Sequence, residues 1–173
     1  MRFLFSLMLI AAAICTTLFF PATPSGAAAP VKVGEPAPDF ALPDLSGKRM
    51  HLADMRGKVV LLNFWGTFCG PCRKEMPVLE SLHSSLKSEG FTVLAVSIDR
   101  SEDTVKSFLM TAPSSFPVLL DTDKTVFHGP YATFSLPLTY LIDKRGTIVA
   151  KYLGAQAWDS VEFKDMVRRL ARE

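Results

Sequence analysis

The chain has 173 residues, 49% of them hydrophobic, which is enough for one well-packed domain and a short appendage but too little for two full domains. Its 19 basic and 17 acidic residues leave a formal net charge of +2 at pH 7, which excludes the broad basic surface of a nucleic-acid-binding protein. We therefore expect any partner to be recognised locally.

The N-terminal segment differs in composition from the rest of the chain. Arg2 precedes an apolar run, Phe3–Phe20, and a stretch rich in Pro, Ser and Ala follows it. A positive residue, an apolar segment and small residues at alternate positions are the parts of an export signal. Because the run is also long enough to span a bilayer, residues 1–29 are predicted to be a cleaved signal peptide or a retained N-terminal membrane anchor. Residues 30–173 are predicted to fold in the periplasm or at the extracytoplasmic face of the membrane.

The folded part begins with a predicted hairpin. Two short strands, Asp39–Leu42 and Lys48–His51, flank the turn-forming segment Pro43–Gly47. Lys58–Phe64 is then a continuous apolar run, which is typical of a strand buried on both faces of an α/β sheet.

A helix, a strand, a second helix and a short strand are predicted next. Apolar residues at spacings of three and four indicate a helix from Cys69 that ends before Gly90. Phe91–Ile98 is a second apolar strand. Ser101 and the acidic residues after it are expected to cap the next helix, because they satisfy its exposed amides. Pro117–Leu120 completes this region as a strand.

The C-terminal region predicts two more strands and a helix. Leu138–Ile142 and Thr147–Leu153 surround a segment with the composition of a hairpin turn. The last helix is expected from about Asp159, with core contacts from Val161, Val167 and Leu170. This order of elements predicts an α/β fold with a central mixed β-sheet covered by helices on both faces.

Cys69 and Cys72 are the candidate reactive pair. They close so short a loop that their disulfide would stabilise the fold little, which favours a chemical function. At a helix start the positive end of the helix dipole favours the Cys69 thiolate as nucleophile, and Cys72 would resolve the mixed disulfide. Pro71 has no amide hydrogen to leave unpaired in the first turn, and Gly70 allows close approach of a partner chain.

Two other interpretations of the cysteine pair fit less well. A structural zinc ion takes four ligands, but after residue 29 the chain offers no second Cys-x-x-Cys. Its histidines, His51, His83 and His128, are isolated from one another. No metal or cofactor is therefore predicted. A thiol peroxidase is suggested by Thr67 two residues before Cys69, but Cys72 lies too close to be a typical resolving cysteine of such an enzyme.

Three segments resemble the TlpA/ResA branch of extracytoplasmic thioredoxin-like proteins. They are Gly34–Phe40, the Cys-Gly-Pro-Cys motif at Cys69–Cys72, and Leu136–Asp143. The resemblance implies a thioredoxin-like fold with an N-terminal β-hairpin and an inserted strand–helix element between about residues 91 and 120. It further implies reduction of partner disulfides, often in cytochrome c maturation, with electrons from a membrane thiol donor.

The resemblance also assigns expectations to single residues. Pro137 matches a cis-proline whose loop offers backbone hydrogen bonds to substrate, and Leu136 before it departs from the commoner pattern. Glu75 matches an acid that tunes the dithiol, the alternative being an ordinary solvated acid. Asn63 replaces the buried aspartate of thioredoxin, which leaves Glu75 as the substitute. Trp65 is expected beside the active site, with pure core packing as the alternative.

Three functions are consistent with these observations. The leading hypothesis is a reductant of disulfide-bearing exported proteins, among them apocytochrome c. The same sulfur chemistry also serves a disulfide oxidant or isomerase, and the reduction potential separates the two. A redox-inert chaperone that binds polypeptide across the Pro137 face would keep its activity with serine at both cysteines.

Overall fold

The structure, a computed structural model, describes residues 31–131 and 134–173. The predicted signal or anchor segment, residues 1–29, lies outside the described residues. Within the described ranges no helix combines the length and the apolar character needed to cross a membrane.

The chain enters the fold through the predicted hairpin. Strand β1, Ala41–Pro43, pairs with β2, Arg49–His51, in antiparallel register, and both strands are shorter than expected. The turn closes on one side chain, since the Asp44 carboxylate accepts the backbone amides of Ser46 and Lys48. A 3-10 turn, Leu52–Met55, then leads into the main sheet.

The main sheet has five strands: β3 Val59–Trp65, β4 Phe91–Ser97, β5 Val118–Leu120, β6 Leu138–Ile142 and β7 Ile148–Leu153. Their order across the sheet is β5-β4-β3-β6-β7. Pairing is parallel on one side of β3, through β4 to β5, and antiparallel on the other, through β6 to β7. Every residue of β3 and β4 is buried, as their continuous apolar runs predict.

Four helices accompany the sheet in the described ranges: α1 Gly70–Leu86, α2 Glu102–Thr111, α3 Thr125–His128 and α4 Val161–Arg172. Helix α1 continues into a 3-10 turn and ends at Gly90, whose φ of +83° suits glycine. Helix α2 and strand β5 occupy the segment where an insertion was expected. The short helix α3 was not predicted. The fold is thioredoxin-like, and the predicted fold class is confirmed.

Two details of the helices differ from expectation. Val161 is 68% exposed rather than in the core, because Phe163, buried with Val167, sets the phase of the apolar face of α4. Ser101 occupies the N-cap position of α2, but its side chain makes no capping hydrogen bond in the described structure. The serine that does cap a helix is Ser160, whose hydroxyl accepts the Phe163 amide.

Candidate active site

The cysteine pair lies where the central strand passes into the longest helix. Strand β3 ends at Trp65, and Cys69 is the N-cap of α1, where its Sγ accepts the Cys72 backbone amide at 3.3 Å. The two cysteines form a disulfide with their Cα atoms 5.2 Å apart. Cys69 is half-buried, whereas Cys72 is 2% exposed, so only Cys69 offers an approach to a partner.

A buried carboxylate fixes the loop that carries Cys69. Asp99, just after β4, accepts the Thr67 amide at 2.9 Å and the Thr67 hydroxyl at 2.6 Å. It also accepts the Ser97 hydroxyl at 2.8 Å. Sequence reasoning missed Asp99, because only the parallel pairing of β3 with β4 brings the ends of the two strands together.

Glu75 lies one turn beyond Cys72 on the buried face of α1, and it is 4% exposed. Its Oε1 accepts two hydrogen bonds, from Asn63 Nδ2 at 3.3 Å and from Trp158 Nε1, while Oε2 has no partner within residues 31–131 and 134–173. Burial raises the pKa of Glu75 to about 7, against the opposing effect of the Trp158 hydrogen bond. Glu75 is therefore not an ordinary solvated acid.

Asn63 extends this contact into the sheet. Its Nδ2 also donates to Thr139 Oγ1 at 2.9 Å, so β3 and β6 together support the Glu75 carboxyl group. A carboxyl group with a pKa near 7 exchanges protons readily at neutral pH. Such a group can accept the proton that a thiol loses when it reacts as a thiolate.

The loop before β6 carries the predicted proline. The Leu136–Pro137 peptide bond is cis, and the Pro137 ring is buried. The Pro137 carbonyl oxygen accepts the Gly154 amide at 2.9 Å, so that oxygen is engaged within the chain. Leu136 is half-buried and packs against both hydrophobic cores.

Two grooves flank the disulfide. One, of about 360 Å³, includes Cys69, Leu136 and Lys124, and its rim carries the exposed rings of Phe68 (66%) and Phe134 (86%). The other, of about 410 Å³, lies along α1 and is lined by these residues: Gly70, Pro71, Lys74, Glu75, Val78, Ala155 and Gln156. Of the predicted site residues, Cys69 and Leu136 line the first groove, and Gly70, Pro71 and Glu75 line the second.

Trp65 is a predicted site residue that has no solvent-exposed surface. Its side chain is completely buried, and its ring packs on Phe108 with centroids 5.4 Å apart. In this disulfide state the ring cannot contact a substrate, and the geometry agrees with the core-packing alternative.

Comparisons with known proteins agree with this geometry. A family model described as the AhpC/TSA family matches residues 33–151. The chain is 40% identical over 132 residues to a thiol-disulfide oxidoreductase ResA of Bacillus cereus, an alignment that covers 76% of each chain. To ResA of Bacillus subtilis it is 41% identical over 124 residues, covering 72% of this chain and 69% of that one. The thioredoxin domain of a thiol-disulfide oxidoreductase from Bacteroides vulgatus is 31% identical, with a TM-score of 0.71 over 82% of this chain and 99% of that one.

Proposed function

The chain belongs to the AhpC/TSA family and is a thiol-disulfide oxidoreductase of the ResA type, and from this premise we propose that it reduces disulfides of exported proteins. The observation that carries the proposal is the arrangement of three groups along α1. Cys69 is half-buried at its start, Cys72 is buried behind it, and the buried Glu75 carboxyl group follows one turn later.

The arrangement supports a two-step exchange that starts from the reduced pair. The Cys69 thiolate, stabilised at the N-terminus of α1, attacks one sulfur of a partner disulfide, and the other partner sulfur leaves as a thiolate that takes up a proton from water. Cys72 then gives its proton to the Glu75 carboxylate and attacks Cys69 Sγ. The bond between Cys69 and the partner breaks, the second partner sulfur leaves as a thiolate that takes up a proton from water, and the Cys69–Cys72 disulfide forms. Glu75 then releases to water the proton that it accepted, and the partner has gained the two electrons that the dithiol lost.

Trapping with a partner protein tests the assigned sulfur roles. With reduced protein and insulin as the disulfide substrate, Cys72→Ser should accumulate a mixed disulfide through Cys69, because nothing remains to resolve it. Cys69→Ser is the matched control and should trap no partner. Equal trapping by both variants would contradict the assigned roles. Polypeptide binding that is retained with serine at both Cys69 and Cys72 would instead support the chaperone alternative.

The direction of exchange is tested by the equilibrium reduction potential of the pair in a dithiothreitol or glutathione buffer series. A value near or below about −250 mV agrees with a reductant that draws electrons from a membrane thiol donor. A value near about −120 mV would make the protein a disulfide oxidant and overturn the proposal.

Export is the third part of the proposal, and it rests on the composition of residues 1–29. The partners would then be disulfide-bearing proteins outside the cytoplasm, apocytochrome c among them. A reporter that is active only outside the cytoplasm should be exported and active when it is fused to the chain with residues 1–29. The same reporter fused to a chain that begins at residue 30 should stay inactive. If apocytochrome c is a partner, loss of the protein should lower the level of holocytochrome c. Unchanged holocytochrome c levels would contradict the assignment of this partner.

A further inference from the structure

The Glu75 carboxyl group is held by a residue that belongs to no sequence motif. Trp158 lies in the loop between β7 and α4, 83 positions from Glu75, and its indole Nε1–H donates to Glu75 Oε1. The indole is completely buried. Tyr152 and Phe163 contact its ring edge-on, with centroids 5.2 and 4.9 Å away. Because these rings fix the indole, its N–H has one fixed direction, toward the carboxyl group.

The two carboxyl oxygens of Glu75 differ in their surroundings. Oε1 takes the hydrogen bonds of Trp158 and Asn63, and Oε2 has no hydrogen-bond partner in the described part of the chain although it is buried. A buried carboxyl oxygen without a hydrogen-bond partner lowers the stability of the fold, and most of all when the carboxyl group is charged. Oε2 is the oxygen left to take up or release a proton.

We propose that Trp158 is a positioning residue of the exchange reaction, whose indole N–H holds Glu75 Oε1 so that Oε2 is presented for proton exchange with Cys72. This inference rests on the function proposed above, because it assigns Trp158 a role only if Glu75 serves the dithiol. It also gives a physical reason for a buried indole N–H to face a buried acid, since the hydrogen bond favours the charged form that accepts the proton.

The chain supplies its own control. Its other tryptophan, Trp65, is equally buried and lies in the same hydrophobic core, but its Nε1 has no hydrogen-bond partner among the described residues. A Trp→Phe substitution removes a similar volume at either position. Only at position 158 does it also remove a donor to Glu75.

The first test uses the unsubstituted, oxidised protein and follows the two indole N–H resonances by NMR from pH 5 to pH 9. In this state neither cysteine titrates. Of the other groups near Glu75, the Lys74 ammonium shares its groove, and Tyr152 beyond the indole has a pKa raised above its ordinary 10 by burial. The Trp158 resonance should move with a midpoint near 7, the Trp65 resonance should not, and Glu75→Gln should abolish the movement. A Trp158 resonance that stays still, or that moves equally in Glu75→Gln, would overturn the inference.

The second test measures how fast a preformed mixed disulfide on Cys69 is resolved, as a function of pH. Loss of the indole donor raises the pKa of Glu75, so in Trp158→Phe the midpoint of the rate should rise by about one pH unit or more. The rate should recover at high pH, and Trp65→Phe should keep the wild-type midpoint. Equal midpoints in the two variants would overturn the inference.

The two proposals fail in different ways. If Glu75→Gln leaves the pH dependence of resolution unchanged, the proposed proton role of Glu75 is wrong. If Glu75→Gln changes it and Trp158→Phe does not, only the role of Trp158 is wrong. Should Trp158→Phe fail to fold, the NMR titration of the unsubstituted protein still tests the hydrogen bond to Glu75 on which the role of Trp158 depends, and a Trp158 resonance that stays still would overturn the inference.

Discussion

Replacement of Glu75 by glutamine should stabilise the protein at alkaline pH. The side chain is buried, and its folded-state pKa of about 7 lies above the ordinary value of 4.5 expected in the unfolded chain. A carboxyl group whose pKa is raised by folding contributes most below the unfolded pKa, where it is neutral in both states. That contribution is lost as the pH rises from about 4.5 to about 7.

The size of this effect follows from the two pKa values. Their difference of about 2.5, at 1.36 kcal/mol per unit, corresponds to about 3 kcal/mol lost between pH 4.5 and pH 8. Glutamine keeps an oxygen that can accept the Trp158 hydrogen bond but carries no charge at any pH. The advantage of Glu75→Gln over the wild type should therefore grow by about 3 kcal/mol across this range.

The assay is urea unfolding of the oxidised protein at several pH values between 4.5 and 8, with the stability difference between wild type and Glu75→Gln plotted against pH. The difference cancels the other titrating groups that the two proteins share. Glu162→Gln, which removes an exposed acid on α4, is the control for the loss of one carboxylate at the surface. Parallel curves for wild type and Glu75→Gln would refute the argument, because Glu75 would then ionise alike in both states.

Four further substitutions probe the loop, the groove and the last helix. Asp99→Asn weakens the buried contact to Thr67 and should cost about 2 kcal/mol in urea unfolding, with slower reaction at Cys69; unchanged stability would count against the loop assignment. Phe134→Ser should lower kcat/KM for insulin reduction about tenfold without changing the melting temperature, because the ring is exposed and can contact substrate; an unchanged kcat/KM would remove this groove from substrate binding. Phe163→Ala should cost about 3 to 5 kcal/mol and Val161→Ala less than about 0.5, and equal losses in thermal unfolding would contradict the observed phase of α4.

Local patterns in the sequence were sufficient to predict most of the fold. The apolar runs of β3 and β4 mark strands buried on both faces, and the three- and four-residue spacing of α1 marks a helix with one buried face. Errors arose where the signal was short or ambiguous. Helix α3 has only four residues, too few to show a helical period. At the start of α4, Val161 and Phe163 are both apolar, and the sequence does not show which of them lies on the buried face.

The sequence by itself determined the chemistry of the site, because Cys69, Gly70, Pro71, Cys72 and Glu75 all lie within two turns of one helix. Only the tertiary structure decided what surrounds that chemistry. Asn63 reaches Glu75 across the β3–α1 connection, and Trp158 reaches it from a loop 83 positions away. Such contacts depend on how the strands pair and how the helices pack on the sheet, which local periodicity does not encode. Burial by these distant elements raises the pKa of Glu75 and distinguishes it from an acid on an exposed helix face.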